Sequence, residues 1–338
     1  MNRFLLMAAL VAAPMAVTAQ TPNPIVSQIV DSHILTRFQS LANLSADLAI
    51  AAGNDCSPRS QPLRAAYGAS FDAWVSASHL RFGPTEVDDR AFALAFWPDS
   101  RGVTPKSLTA LISNQDPVVA SADAYSDVSI AARGFYAFEF LLYDDGFNEL
   151  GDAGYRCTLI QTLTSDIAST SAAILTDWQE TYAPKLLQPE PTGTYRSNDE
   201  VLQELFKALT AGLQFTSETR LGRPLGTFDR PRPKRAEAWR SKRSSRHVTL
   251  SLEALDDLVR KLAQGDPDLA LRIKTNFGKS LTLLKNLDDP TFASVAAPQT
   301  HLRIEVIQQS IDTTRALISA ELGPTLGVAA GFNALDGD

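Results

Sequence analysis

The chain has 338 residues, with 31 lysines and arginines against 38 acids and a net charge of −7. An acidic balance of this kind argues against nucleic acid as a partner, and two cysteines without a Cys-x-x-Cys spacing exclude a haem attachment or a zinc ribbon. The length exceeds what one hydrophobic core usually organises, so two domains or one elongated body are expected.

The N-terminus reads Met-Asn-Arg, then an apolar run from Phe4 to Val17, then Val17-Thr18-Ala19, with the small residues at −3 and −1 that signal peptidase requires. Cleavage after Ala19 is expected, leaving about 319 residues with 30 basic against 38 acidic side chains. The apolar run is too short for a permanent anchor, and no later stretch reaches roughly 18 uninterrupted apolar residues. No transmembrane anchor is therefore expected, and the mature chain is assigned to the periplasm or cell envelope. Export would place Cys56 and Cys157 in an oxidising compartment, where pairing is the default. Closing a loop of that length would stabilise the fold by up to ~5 kcal/mol.

Further along, Ile160, Leu163, Ile167, Ile174 and Trp178 fall on one helical stripe. The same period recurs in Leu202, Leu205, Leu209 and Leu213, in Ile273, Phe277, Leu281 and Leu284, and in Ile304, Ile307, Ile311, Ile318 and Leu322. No set of alternating strands is found, so the fold class is all-α. Between the first two stripes, Gln188-Pro-Glu-Pro-Thr-Gly193 is rich in breakers, and Ser197-Asn198-Asp199-Glu200 is a capping-box pattern. This divides the chain into a signal peptide (1–19), an N-terminal helical bundle (20–190) and a C-terminal bundle (191–338). Each half has amphipathic segments for about four helices, the number that closes a bundle. The least helical stretch, 222–247, holds three prolines and many cations and reads as a functional or mobile basic loop.

Common catalytic signatures are absent. His33, His79, His247 and His301 are too far apart for a His-x-x-x-His zinc helix, and His79 and His247 read as structural or surface residues. No G-x-S-x-G elbow, P-loop or G-x-G-x-x-G turn occurs. The most informative string is Arg133-Gly-Phe-Tyr-Ala-Phe-Glu-Phe-Leu-Leu-Tyr143. On a helix, Tyr136 and Glu139 share a face while apolar side chains cover the rest. An acid so placed needs a cation, a metal or a proton.

Gly134-Phe135-Tyr136-Ala137-Phe138-Glu139 resembles the G-x-H-x-x-E helix of imelysin-like proteins. Trp74 with Arg81-Phe82-Gly83-Pro84, and Phe96-Trp97-Pro98-Asp99-Ser100-Arg101, resemble stretches of that family's first half. Ala238-Trp239-Arg240-Ser241-Lys242-Arg243-Ser244 and the terminal run from Leu326 to Asp338 resemble stretches of its second half. The resemblance implies two helical bundles related by approximate internal duplication, a motif helix facing a cleft, a periplasmic or surface location and a connection with iron uptake. It also implies the metallopeptidase classification given to family members.

This chain carries Tyr136 where the motif has histidine. A phenol must lose a proton of pKa near 10 before it ligates well, which suits ferric iron better than zinc. Tyr136 and Glu139 are thus either iron ligands or a hydrogen-bonded pair. Arg240 or Arg243 is expected to neutralise Glu139, or else to bind an anionic chelate of the citrate type, and Ser241 between them is a further residue expected to line the ligand site. Trp97 and Asp99 are candidates for the cleft wall, with a buried tryptophan and a helix-capping aspartate as the plainer reading. The leading function is a binding component that holds iron, an iron chelate or an envelope protein partner. A metal-dependent peptidase, with Glu139 moving protons, and a non-catalytic interaction module are the alternatives.

Overall fold

The computed structural model describes residues 22–328, and among these every regular element is helical, with a single isolated bridge between Thr227 and Arg230. The expected signal peptide and residues 329–338 of the terminal string lie outside the described residues.

Helix α1 starts where Asn23 Oδ1 accepts from Ile25 N at 2.9 Å, and runs as Pro24–Ile29, a π-helical Val30–Leu35, and Thr36–Asn54. Ser60 caps α2 (Gln61–Ala77) through Leu63 N. Two 3-10 turns and a one-turn helix (Arg90–Leu94) lead to α3 (Val103–Asn114), and further short turns lead to the motif helix α4 (Gly134–Tyr143). Asp152 caps α5 through Tyr155 N at 2.8 Å; this helix runs as Ala153–Asp177, a π-helical Trp178–Tyr182, and Ala183–Leu187. Its stripe of Ile160, Leu163, Ile167, Ile174 and Trp178 is buried throughout.

Ser197 starts α6 (Asn198–Gln214, a π-helical Phe215–Leu221, then Gly222–Leu225) by accepting from Glu200 N. The capping box is not reciprocal: Glu200 accepts from Arg196 N at 2.8 Å, one residue before the cap. Helices α7 (Ser244–Leu262), α8 (Pro267–Leu287) and α9 (Pro298–Leu317, π-helical Ile318–Leu322, Gly323–Thr325) are the last long helices of the described residues.

The basic stretch is more ordered than its composition predicts. Helix α6 continues to Leu225, and Gly226 at φ +62 ends it, where a side chain would meet Arg230 O. Since α7 begins at Ser244, the irregular part is 226–243, and His247 lies inside a helix.

Helix α1 packs against both α2 and α5, and α6, α7, α8 and α9 pack in a ring, each on the next and α9 back on α6; α7 also packs against α2 and joins the groups. The disulfide Cys56–Cys157, with Cα atoms 5.3 Å apart, ties the exit of α1 to the first turns of α5. No helix of the described residues is long and apolar enough to cross a membrane.

Candidate functional site

The motif helix is placed by its first residue and the one before it. Gly134 has φ +72, and a Cβ there would fall on the carbonyls of Ala93 and Leu94, so only glycine lets the chain turn into α4 against that strand of backbone. Arg133 just before it forms a two-pronged pair with Asp166 of α5 (2.9 and 2.6 Å) and donates to Ser126 O at 2.7 Å. Phe135 then stacks on Phe71 of α2 at 4.7 Å, and Phe138 meets Tyr67 edge-on at 5.6 Å. The helix is thereby fixed in rotation, with Tyr136 and Glu139 turned toward segment 226–243.

Glu139 is 3 % exposed, and its Oε1 accepts from both Ser241 N (2.8 Å) and Ser241 Oγ (2.7 Å). Its Oε2 makes no hydrogen bond among the described residues, and the side chain lines a cavity of about 250 Å³. Burial pushes the Glu139 carboxyl above its ordinary range, against the opposing pull of Ser241 and the Arg240 charge. Ser241, predicted as a lining residue, is therefore the carboxylate's direct partner.

The two arginines expected at Glu139 are engaged elsewhere. Arg240 Nε pairs with Asp144 at 3.0 Å, and its guanidinium lies over Phe140 (3.9 Å) and Trp239 (4.5 Å). Arg243 pairs with Asp72 and donates to Gly68 O at 2.9 Å, with Arg246 on the other oxygen of Asp72 at 2.5 Å. Ion pairs with Asp144 and Asp72 hold these guanidinium groups off the buried carboxylate.

Tyr136, 7 % exposed, donates its hydroxyl proton to Glu237 Oε1, so Tyr136 and Glu139 are not paired with each other. Glu237 is itself 2 % exposed and takes Arg220 Nε on Oε2 at 2.6 Å. Burial works to raise the Glu237 carboxyl, but Arg220, His247 and Tyr136 outweigh it and hold it well below the usual range. Burial first, and then the Glu237 charge, push the Tyr136 phenol well above 10. Arg220 comes from the π-helical part of α6, and His247 stands 3.3 Å from Glu237 with its ring edge-on to Phe71. Neither Glu237, Arg220 nor Asp144 was singled out from the sequence. Glu237 had a visible signal: it is the one acid between Pro231 and His247.

Asp99 turns out to be a cap. Its oxygens accept from Arg101 N, Val103 N and Thr104 N (3.2, 2.9 and 2.8 Å), and these amides hold its carboxyl low against the effect of burial. It lines the cavity with its acceptors already used. Trp97 does form wall, stacked on Tyr136 at 6.1 Å and carrying Arg223 over its face at 5.8 Å.

The cavity beside Glu139 is rimmed by Arg223, Lys234, Arg235 and Arg240. Of these only Arg240 has an acidic partner among the described residues. Arg223 Nε is enclosed and without a hydrogen-bond partner, and burial together with Arg235 lowers its pKa. A bare iron ion does not fit this donor set. Tyr136 spends its proton on Glu237, Glu139 offers one free oxygen, and among the described residues no three His, Cys, Asp or Glu side chains are placed to hold a metal.

The family model described as imelysin, a peptidase family by its designation, matches residues 34–318. The solved structure of an imelysin-like protein from Psychrobacter arcticum is similar with a TM-score of 0.75, covering 91 % of this chain and 96 % of that one at 20 % identity. A structure described as an iron-regulated protein A precursor, from Parabacteroides distasonis, also gives 0.75, over 90 % and 97 % of the two chains at 12 % identity. At these identities the likeness is one of fold. No curated protein matches the chain.

Proposed function

The chain belongs to the imelysin family, and from that premise we propose that it is a binding component of the cell envelope that takes a carboxylate-rich anion, of the class that chelates ferric iron, into the cavity beside Glu139. The observation that carries this reading is the charge of the lining. Arg223, Lys234 and Arg235 face about 250 Å³ without an acidic partner among the described residues, while Asp99 is consumed by main-chain amides. Unpaired guanidinium groups with planar forks suit carboxylates. They repel a free cation but accept one whose own ligands are anionic. Glu139 Oε2 then offers a single additional oxygen toward such a ligand, or a proton, since burial favours the neutral acid.

Hydrolysis is the less supported reading. A catalytic metal usually takes three protein ligands and leaves a position for water. With Tyr136 in place of the motif histidine and bonded to Glu237, the described residues do not supply that set. Export by the 1–19 segment, a periplasmic location, iron uptake as the process served, and the division into two bundles at 188–193 belong to the same proposal.

Calorimetric titration of the mature protein with citrate, ferric citrate and ferric chloride tests it. Saturable binding of citrate or its ferric complex is expected, weakened roughly tenfold by Arg223→Gln and by added salt. Failure of both to bind, or affinity indifferent to Arg223→Gln and Arg235→Gln, overturns it.

A further inference from the structure

A second cavity, of about 410 Å³, lies on the other side of the wall formed by Trp97 and Tyr136. Its faces include the rings of Trp74, Phe82, Phe92, Trp97 and Phe215. Most of its polar lining is already committed: Glu237 to Tyr136 and Arg220, and Ser251 to Thr216 and Arg220. His79 Nδ1 and the side chains of Glu204 and Lys207 remain without a hydrogen-bond partner among the described residues.

His79 is 6 % exposed, and its Nε2 lies 2.8 Å from Nε2 of His33, a fully buried residue in the π-helical part of α1. His33 Nδ1 lies 2.7 Å from Asp257 Oδ2, on α7. These contacts determine where the protons are. An ionised carboxylate only accepts, so His33 carries its proton on Nδ1 and presents a lone pair at Nε2. His79 must then donate through Nε2, which strips Nδ1 of a proton. Both rings are neutral near pH 7: burial lowers His33 to about 4 and His79 well below its ordinary value. Against the effect of burial, the hydrogen bonds from His33 and Lys261 and the charge of Arg37 keep Asp257 ionised. His79 Nδ1 has no hydrogen-bond partner among the described residues and is not among the enclosed polar atoms, so its open side is the cavity that His79 lines.

We infer that this cavity is a second ligand site, independent of the cationic one, which takes a compact aromatic molecule bearing one hydroxyl, the ring lying against the aromatic walls and the hydroxyl donating to His79 Nδ1. Flat apolar walls favour ring stacking, and a neutral, fixed lone pair selects a donor over an acceptor. Asp257 and His33 are positioning residues that set the tautomer of His79. Glu204 and Lys207 also line the cavity and supply the competing polar contacts.

Nitrogen-15 spectra of histidine-labelled mature protein test this, with phenol as the probe and toluene as the matched compound lacking the hydroxyl. The expected results are a His79 ring protonated at Nε2 and bare at Nδ1, a saturable shift of Nδ1 on adding phenol, and roughly tenfold weaker binding of toluene. His79→Phe should abolish the preference for phenol over toluene. If that variant does not fold, the wild-type spectra decide alone. A proton found on Nδ1, no saturable phenol binding, or binding that leaves Nδ1 unmoved, as donation to Glu204 would, overturns the inference.

Discussion

The hydroxyl of Tyr136 on the motif helix donates to the carboxylate of Glu237, 101 residues further along the chain and itself paired with Arg220. The position occupied by histidine in the family motif therefore serves here to satisfy a buried ion pair. Tyr136→Phe should remove a donor from a buried carboxylate and lower unfolding free energy by about 1–3 kcal/mol. Glu237→Ala should cost more, about 3–5 kcal/mol, because Arg220 is left buried without a counter-charge. Urea unfolding of both variants and their double mutant measures these costs. Equal and additive effects would show that the three side chains do not act together.

Acid should unfold the protein through Glu237. Its folded-state pKa is depressed below the ordinary 4.5, so the stability it contributes is present above that value and is lost as pH falls toward the folded pKa. Asp257 acts in the same direction, below its ordinary 3.8. Glu139 has the opposite sign. Its folded pKa is raised, so its contribution is full below 4.5 and declines as pH rises through the folded value. Urea midpoints taken from about pH 6 down to about pH 3 should fall steeply for the wild type. They should fall less steeply for Glu237→Gln; parallel curves would remove Glu237 from the explanation.

Opening the disulfide should be costly because it spans 101 residues. Cys56→Ser is expected to lose about 2–5 kcal/mol. Thermal melts of the variant and of wild type with reductant should agree, and a melt unchanged by reductant would contradict the pairing.

Gly134→Ala should displace the start of the motif helix. The left-handed backbone alone costs an alanine about 1–2 kcal/mol, and the collision with the Ala93 and Leu94 carbonyls adds to it. Citrate affinity should fall along with stability, since Glu139 moves with α4. Unaltered melting would show that the backbone there yields easily.

Much of this architecture was legible in the sequence because helices obey a local period. The stripes at 160–178, 202–213 and 304–322 are buried, and burial of Glu139 follows from the apolar residues around it. The identity of its partner was not legible. Sequence chemistry favoured Arg240 or Arg243, yet those guanidinium groups are taken by Asp144 and Asp72, and the amide and hydroxyl of Ser241 reach the carboxylate instead. Which of several neighbours on one loop wins depends on pairings across 96 and 171 residues, for which no local pattern exists. The contact between His33 and His79 was not legible for the same reason: one lies in α1 and the other in the turn after α2, 46 residues on, and no motif spacing relates them. The π-helical segments that carry His33 and Arg220 also lack a composition of their own.

Segment 226–243 and the start of α7 bind the first part of the chain at several points, among them Tyr136 to Glu237, Glu139 to Ser241, Asp144 to Arg240, and Asp72 to both Arg243 and Arg246. A protease cutting between Gln188 and Gly193 would thus release no free piece. The nicked protein should migrate as one particle under native conditions and as two polypeptides only in denaturant, and neither piece expressed by itself would hide the acids that its counterpart covers.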